Sequence, residues 1–319
     1  MFTKEDIANQ RIEELKILFS VNRNIGSKNP LFFSGLLKQI HFIVKKYDIN
    51  ILHSYSRSTE LLCLLYKKYI NENVITVNTI MSLVNSRYYL EYRSDKLIAI
   101  SISVKNQLIN KFKIYENKIN LIYNFAEPVS SEVYSDTTNE HGFNILAVGR
   151  YHREKNFETL LEAVKNLNIP NVKVNLVGSG NLKMSYQRYI NANNLNVKLI
   201  PPQNDLSKYF LESRICVLPS IVDPLPTFLI QSGFYKKPFI GSNVDGIAET
   251  ITDGFNGLLF SPKNPYELAE KITTFYNNPA LMHKCAANLF DLVSKKHIPE
   301  VNIKNIYNLY QTLLSNKRL

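Results

Sequence analysis

Between Gly149 and Asn156 the chain sets Arg150, His152, Arg153 and Lys155, four potential cations within six residues, directly ahead of a helical pattern. Ile145 to Val148 form an apolar run of the length expected for a buried parallel strand. Phe157, Leu160, Leu161 and Val164 then recur at helical spacing. A turn in that position lies at the carboxyl end of a strand, where open α/β sheets bind their ligands. Fixed cations in front of a helix N-terminus suit an anion, and phosphate is the anion that most often uses such a turn. A solvated basic loop is the competing reading of these residues alone.

Two further stretches carry groups of the same kind. Leu176 to Leu182, LVGSGNL, is a strand ending in Gly178 and Gly180, which would let the backbone approach a ligand closely; a plain tight turn reads equally well. In Val217 to Tyr235 a strand ends at Pro219 and Ser220, and Pro226 stands where a helix can begin without needing its N–H. The amides of Leu225, Thr227 and Phe228 would then face a cleft, with Asp223 just before the helix and Gln231 one turn beyond Thr227. A helix-capping Asp and a surface Gln are the plainer roles for these two residues.

The elements that must hold these groups alternate along the whole chain. Thr3 to Leu15, Phe33 to Tyr47 and Leu61 to Tyr69 read as helices. Ile17 to Val21, Ile49 to Leu52, Val74 to Val77, Leu97 to Ser101 and Ile119 to Tyr123 read as strands. Such alternation predicts an α/β lobe with a parallel sheet over residues 1–128. The breaks that follow, in EPVSSEVYSDTTNEHG from Glu127 to Gly142, place a linker at 129–142. A second lobe, 143–319, repeats the pattern with strands at Val172 to Val177, Lys198 to Ile200, Ile215 to Leu218, Phe239 to Ile240 and Gly257 to Phe260. A closing helix at 300–314 carries an apolar face able to pack back on the first lobe.

Composition narrows the partners. The 319 residues carry a formal net charge of +11. Residues 1–128 hold 18 Lys and Arg against 11 Asp and Glu, so the first lobe is the more basic and suits an anionic membrane surface or a phosphate-bearing lipid. No zinc-finger spacing, glycine-rich aromatic sheet motif or dense basic run supports nucleic-acid binding. Cys63, Cys216 and Cys285 lack the spacing of a disulfide framework or metal site and read as core residues. The apolar runs are too short to span a bilayer, and the opening MFTKEDIANQRIEELKI lacks an apolar signal core, which together predict a cytoplasmic protein.

Taken together, VGRYHREKN at 148–156, LVGSG at 176–180, LPSIVDPLPTFLIQS at 218–232, GSNVDGIAETITDGFNGLLF at 241–260 and NPYELAEKI at 264–272 resemble the retaining GT-B glycosyltransferases of family 4, the group 1 glycosyl transferases. SDKLIAIS at 94–101 and KINLIYNFAE at 118–127 extend a looser resemblance into the first lobe. The resemblance implies two Rossmann-like lobes facing a cleft. It also implies transfer of a sugar, with retention, from a UDP- or GDP-sugar to a glycan or lipid-linked acceptor in surface polysaccharide biosynthesis, such as that of capsule or lipopolysaccharide. No cofactor or metal is expected, and a place on the inner face of the membrane is. Arg150 and Lys155 match the pair that neutralises the donor diphosphate. The family's two glutamates, eight positions apart, match Asp223 and Gln231, one for sugar hydroxyls and one for the ribose. Gly149, Gly178, Gly180, Ser220 and the segment Leu225, Pro226, Thr227 and Phe228 match donor-binding positions.

The chain departs from the family in three places. Asn78 stands where a histidine usually follows a first-lobe strand, with His53 as another imidazole on the acceptor side. The start at a helix leaves out the family's first strand and glycine-rich loop. Gln231 has replaced a glutamate. A non-catalytic relative that binds a nucleotide sugar, or supports a partner transferase, is therefore the alternative to an enzyme.

Overall fold

A computed structural model describes residues 30–84, 91–129 and 142–317. The helix and strand expected at 3–15 and 17–21 lie outside these residues, as does most of the expected linker. The first lobe contains α1 (Pro30–Lys46), β1 (Ile51–Ser54), α2 (Arg57–Tyr69), β2 (Ile75–Ile80), β3 (Lys96–Ala99), α3 (Ile102–Asn110) and β4 (Ile119–Leu121). Its four strands form a parallel sheet in the order β1-β2-β3-β4.

β2 runs three residues beyond the expected Val77, and every one of its residues is buried. The sequence hides this because Asn78 and Thr79 interrupt the apolar run. Inside the sheet Asn78 Oδ1 accepts the Ser54 hydroxyl at 3.0 Å, and Thr79 Oγ1 meets His53 Nε2 at 2.7 Å. Once bonded, such polar groups can be buried at little cost. Asn78 therefore lies within a strand and not after one. Ser101, expected to end β3, instead caps α3 by accepting the Val104 amide at 3.2 Å.

The second lobe contains β5 (Phe143–Val148), α4 (Phe157–Lys165), β6 (Val172–Val177), α5 (Lys183–Ala192), β7 (Val197–Ile200), α6 (Ser207–Glu212), β8 (Ile215–Leu218), α7 (Thr227–Phe234), β9 (Phe239–Ser242), α8 (Asp245–Thr250), β10 (Leu258–Phe260), α9 (Pro265–Asn277) and α10 (Pro279–Lys296). Its six parallel strands are ordered β10-β9-β8-β5-β6-β7. Helices cover both faces, so the central strands read as continuous apolar runs: all four residues of β8, ICVL, are buried. Asn264 and Asn278, each followed by a proline, cap the starts of α9 and α10, and Asn278 also ends α9.

The chain returns to the first lobe through α11 (Pro299–Lys317). Leu309, Ile306, Tyr310 and Leu313 of α11 pack against Val77, Ile98 and Ile122 of the first lobe. At this crossing His297 is 3% exposed; its Nδ1 contacts Asn124 O at 2.8 Å and its carbonyl accepts the Ala126 amide at 3.1 Å. The forward and return crossings are thereby tied to each other.

Candidate functional site

From β5 the second sheet grows in two directions, through β6 and β7 on one side and through β8, β9 and β10 on the other. Connections leaving the carboxyl ends of β5 and β8 therefore diverge, and the crevice between them is where an open parallel sheet accepts a ligand. The basic turn follows β5, and the loop from Ser220 to Pro226 follows β8. The two are joined by one backbone bond, from the Ile221 amide to Glu154 O at 2.8 Å, and by one side-chain bond, from Asn156 Nδ2 to Pro219 O at 3.2 Å. Asn156 adopts a left-handed conformation (φ 49°) that turns the chain into α4.

Within this frame the Lys155 amine donates to Asp223 Oδ2, which also accepts the Ser220 hydroxyl at 3.1 Å. Asp223 Oδ1 has no hydrogen-bond partner among the described residues. Lys155 keeps 20% of its side chain exposed and Asp223 keeps 5%, so the pair sits at the floor of the crevice. The backbone of Asp223 is fixed on both sides: its amide donates to Asp245 Oδ2 at 3.0 Å, and its carbonyl accepts the Gly246 amide at 3.0 Å. A Cβ on Gly246 would lie 1.8 Å from Pro224 O, so only glycine permits this contact. Burial, followed by the charges of Asp223 and Glu249, raises the Asp245 pKa above the usual carboxylate value.

α7 begins beside this pair. Pro226 is its N-cap residue, one position earlier than the first helical turn where the sequence places it, and no side chain caps the helix. Asp223 is thus no helix cap. The Thr227 and Phe228 amides belong to the first turn, which has no intrahelical partner for its N–H groups. Leu225 is buried and Thr227 is exposed, with its hydroxyl accepting Asn124 Nδ2 at 3.3 Å. Gln231 is half-buried, one turn along.

Other expected residues have different surroundings from those the sequence suggests. Arg150 is 76% exposed and its nearest acid is Glu154 at 3.8 Å, which also lies 3.7 Å from His152. An acid inside the turn therefore tempers its positive charge. The close approach allowed by Gly178 and Gly180 is to this chain's own turn. A Cβ on Gly178 would lie 1.9 Å from Gly149 O, and one on Gly180 would lie 2.4 Å from Tyr151 O. The two glycines let one loop pack on the other, with Tyr151 fully buried beneath and its hydroxyl bonded to Leu176 O at 2.8 Å.

On the first lobe, His53 lies inside β1. It is bonded to Thr79 and Tyr310 and stacked on Tyr55 at 4.5 Å, and burial lowers its pKa to about 4. Asn78 is 1% exposed and is held by Ser54. Neither side chain stands free at the cleft. Sequence reasoning missed Glu154, although it stands in the turn itself. It also missed Asp245 and Asn124, whose partners are distant in sequence.

Comparison with known proteins bears on the fold that holds these residues. Residues 135–290 match the family described as Glycosyl transferases group 1. An uncharacterized glycosyltransferase of Methanocaldococcus jannaschii is 27% identical over 285 residues, covering 85% of this chain and 78% of that protein. The capsular polysaccharide biosynthesis glycosyltransferase CapM of Staphylococcus aureus is 24% identical over 72% of this chain and 66% of its own length. Among solved structures, a glycosyltransferase from Rickettsia africae superposes with a TM-score of 0.81 at 22% identity, covering 98% of this chain and 89% of that one. Anabaena HepE in complex with UDP-glucose gives 0.80 at 16% identity, covering 97% and 90%. Residues 135–290 thus resemble a Glycosyl transferases group 1 domain, and the chain has a two-lobed α/β fold like that of solved GT-B glycosyltransferases.

Proposed function

We propose that this protein is a glycosyltransferase that moves a hexose-type sugar, with retention, from a nucleoside diphosphate sugar held by its second lobe. The observation that carries this reading is the convergence of Lys155, Ser220, Asp223 and the uncapped start of α7 at the point where the second sheet changes direction. In this reading the diphosphate lies on the Thr227 and Phe228 amides, with Lys155 beside it and Arg150 swinging in from its exposed position. Fixed cations and helix amides stabilise the charge that grows on a departing diphosphate, and they do so best where water is excluded. On this reading, protein groups take the role that a divalent cation would otherwise have. On this reading Asp223 Oδ1 takes a sugar hydroxyl while Oδ2 holds Lys155, and the Gln231 amide takes the ribose.

The relatives named for capsule synthesis and the basic first lobe support an acceptor that is a growing glycan or its lipid carrier, met at the inner face of the membrane. No helix among the described residues is long and apolar enough to cross a membrane. The test is nucleotide release from common UDP- and GDP-sugars, with the anomeric configuration of the product read by NMR. Turnover with an inverted product removes the retaining mechanism. Tight nucleotide binding without turnover of any donor assigns the chain to binding alone.

A further inference from the structure

Glu249 lies in the last turn of α8, in the second lobe, and its carboxylate leaves that lobe. Oε2 accepts the Ile102 amide at 2.8 Å and Oε1 accepts the Ser103 amide at 2.5 Å, both at the start of α3 in the first lobe. α3 has no acidic residue in its own first turn, and its Ser101 cap satisfies only Val104. An acid from the other lobe thus supplies the negative charge that a helix N-terminus favours. A second bridge, from Asn124 to Thr227 at 3.3 Å, spans the same cleft.

The other end of α8 is the part that fixes Asp223, through Asp245 Oδ2 and the Gly246 amide. One six-residue helix therefore holds the partner of Lys155 at its start and the opposite lobe at its end. Asp245 is strained at φ 40°, a conformation that persists where surrounding contacts impose it.

We infer that Glu249 is a positioning residue that latches the two lobes together across the cleft and so sets the acceptor lobe against the donor site. Glu249 is exposed, so water can compete for its contacts. The latch can therefore open and close without disturbing either core. Its consequence for transfer rests on the donor-site reading above, whereas its effect on lobe distance does not.

The test uses the full chain, spin-labelled at Tyr69→Cys on the first lobe and Tyr266→Cys on the second. These positions are 69% and 70% exposed, and the three native cysteines are buried. Pulsed electron resonance then reports the interlobe distance in the parent, in Glu249→Gln and in Glu249→Lys. The nearly isosteric Gln variant keeps the fold and carries the test should the Lys variant misfold. The expected result is a shift to longer distances, with the closed-to-open ratio falling roughly three- to tenfold for Gln and further for Lys. Superimposable distributions in the folded variants overturn the latch.

A kinetic arm asks whether closure positions the acceptor. Glu249→Gln should lower kcat and raise KM for the acceptor while leaving the UDP or GDP dissociation constant unchanged. An equal loss of nucleotide affinity, or unaltered kinetics, overturns the positioning role. Absence of turnover in the parent counts against the proposed function and leaves the distance result to decide the latch.

Discussion

Lys155 donates to a carboxylate, that of Asp223, whose side chain is 5% exposed, and the bond ties the turn after β5 to the loop after β8. Removing the amine would leave a nearly buried anion with only the Ser220 hydroxyl and whatever water can enter. Lys155→Ala is therefore expected to lose roughly 2–3 kcal/mol of stability, and Asp223→Asn somewhat less. The double variant should lose less than the sum of the two, because the first change removes the partner that the second would lose. Urea unfolding of the four proteins checks this, and strict additivity would show that the pair contributes no coupling.

Gly178→Ala tests whether the glycines serve the turn. A methyl group there would lie 1.9 Å from Gly149 O, a backbone atom that cannot move without displacing the basic turn. The expected cost is about 2–4 kcal/mol. A variant as stable as the parent would mean that the turn relaxes freely.

His53 gives a pH dependence of known sign. Burial lowers its pKa from 6.5 to about 4, so between those values the unfolded chain binds the proton more readily than the folded one. Stability should be greatest above pH 6.5 and fall as the pH drops through this window towards 4. His297, lowered first by burial and then by the charge of Lys296, adds in the same direction, while its bond to Asn124 opposes the shift. His53→Gln should flatten the slope between about pH 7 and pH 5 relative to the parent. Identical slopes in chemical denaturation would exclude His53 as a contributor.

The first lobe should also meet membranes. α1 exposes Phe42 at 64%, with Lys38, Lys45 and Lys46 exposed around it. Sedimentation with anionic vesicles is expected to exceed that with neutral ones, to weaken as salt rises and to weaken again in Lys45→Glu. Equal partitioning on both kinds of vesicle would remove the argument from charge.

The two sheets and the turn after β5 were legible in the sequence because apolar runs, glycine breaks and helical spacing are local signals. Polar residues bonded inside the sheet were not. Asn78 and Thr79 look like the end of a strand until Ser54 and His53 are seen beside them. The cations of the site were legible as residue types, but their partners were not: Lys155 lies 68 positions from Asp223, and Glu249 lies 146 from Ser103. Nor could composition show that Glu154 shares the turn's charge, or that Gly178 and Gly180 receive Gly149 and Tyr151. Such pairings arise only when the two loops close on each other.

The measurement that bears most directly on the proposed donor site is calorimetric titration of UDP and GDP into the parent chain, Lys155→Ala and Arg150→Ala. In the proposed site each substitution would remove a charge-assisted contact to phosphate, and it should weaken the binding of at least one nucleotide by roughly 1.5–3 kcal/mol. Undiminished affinity for both nucleotides in both variants would contradict the account and leave the turn between β5 and α4 as a basic loop.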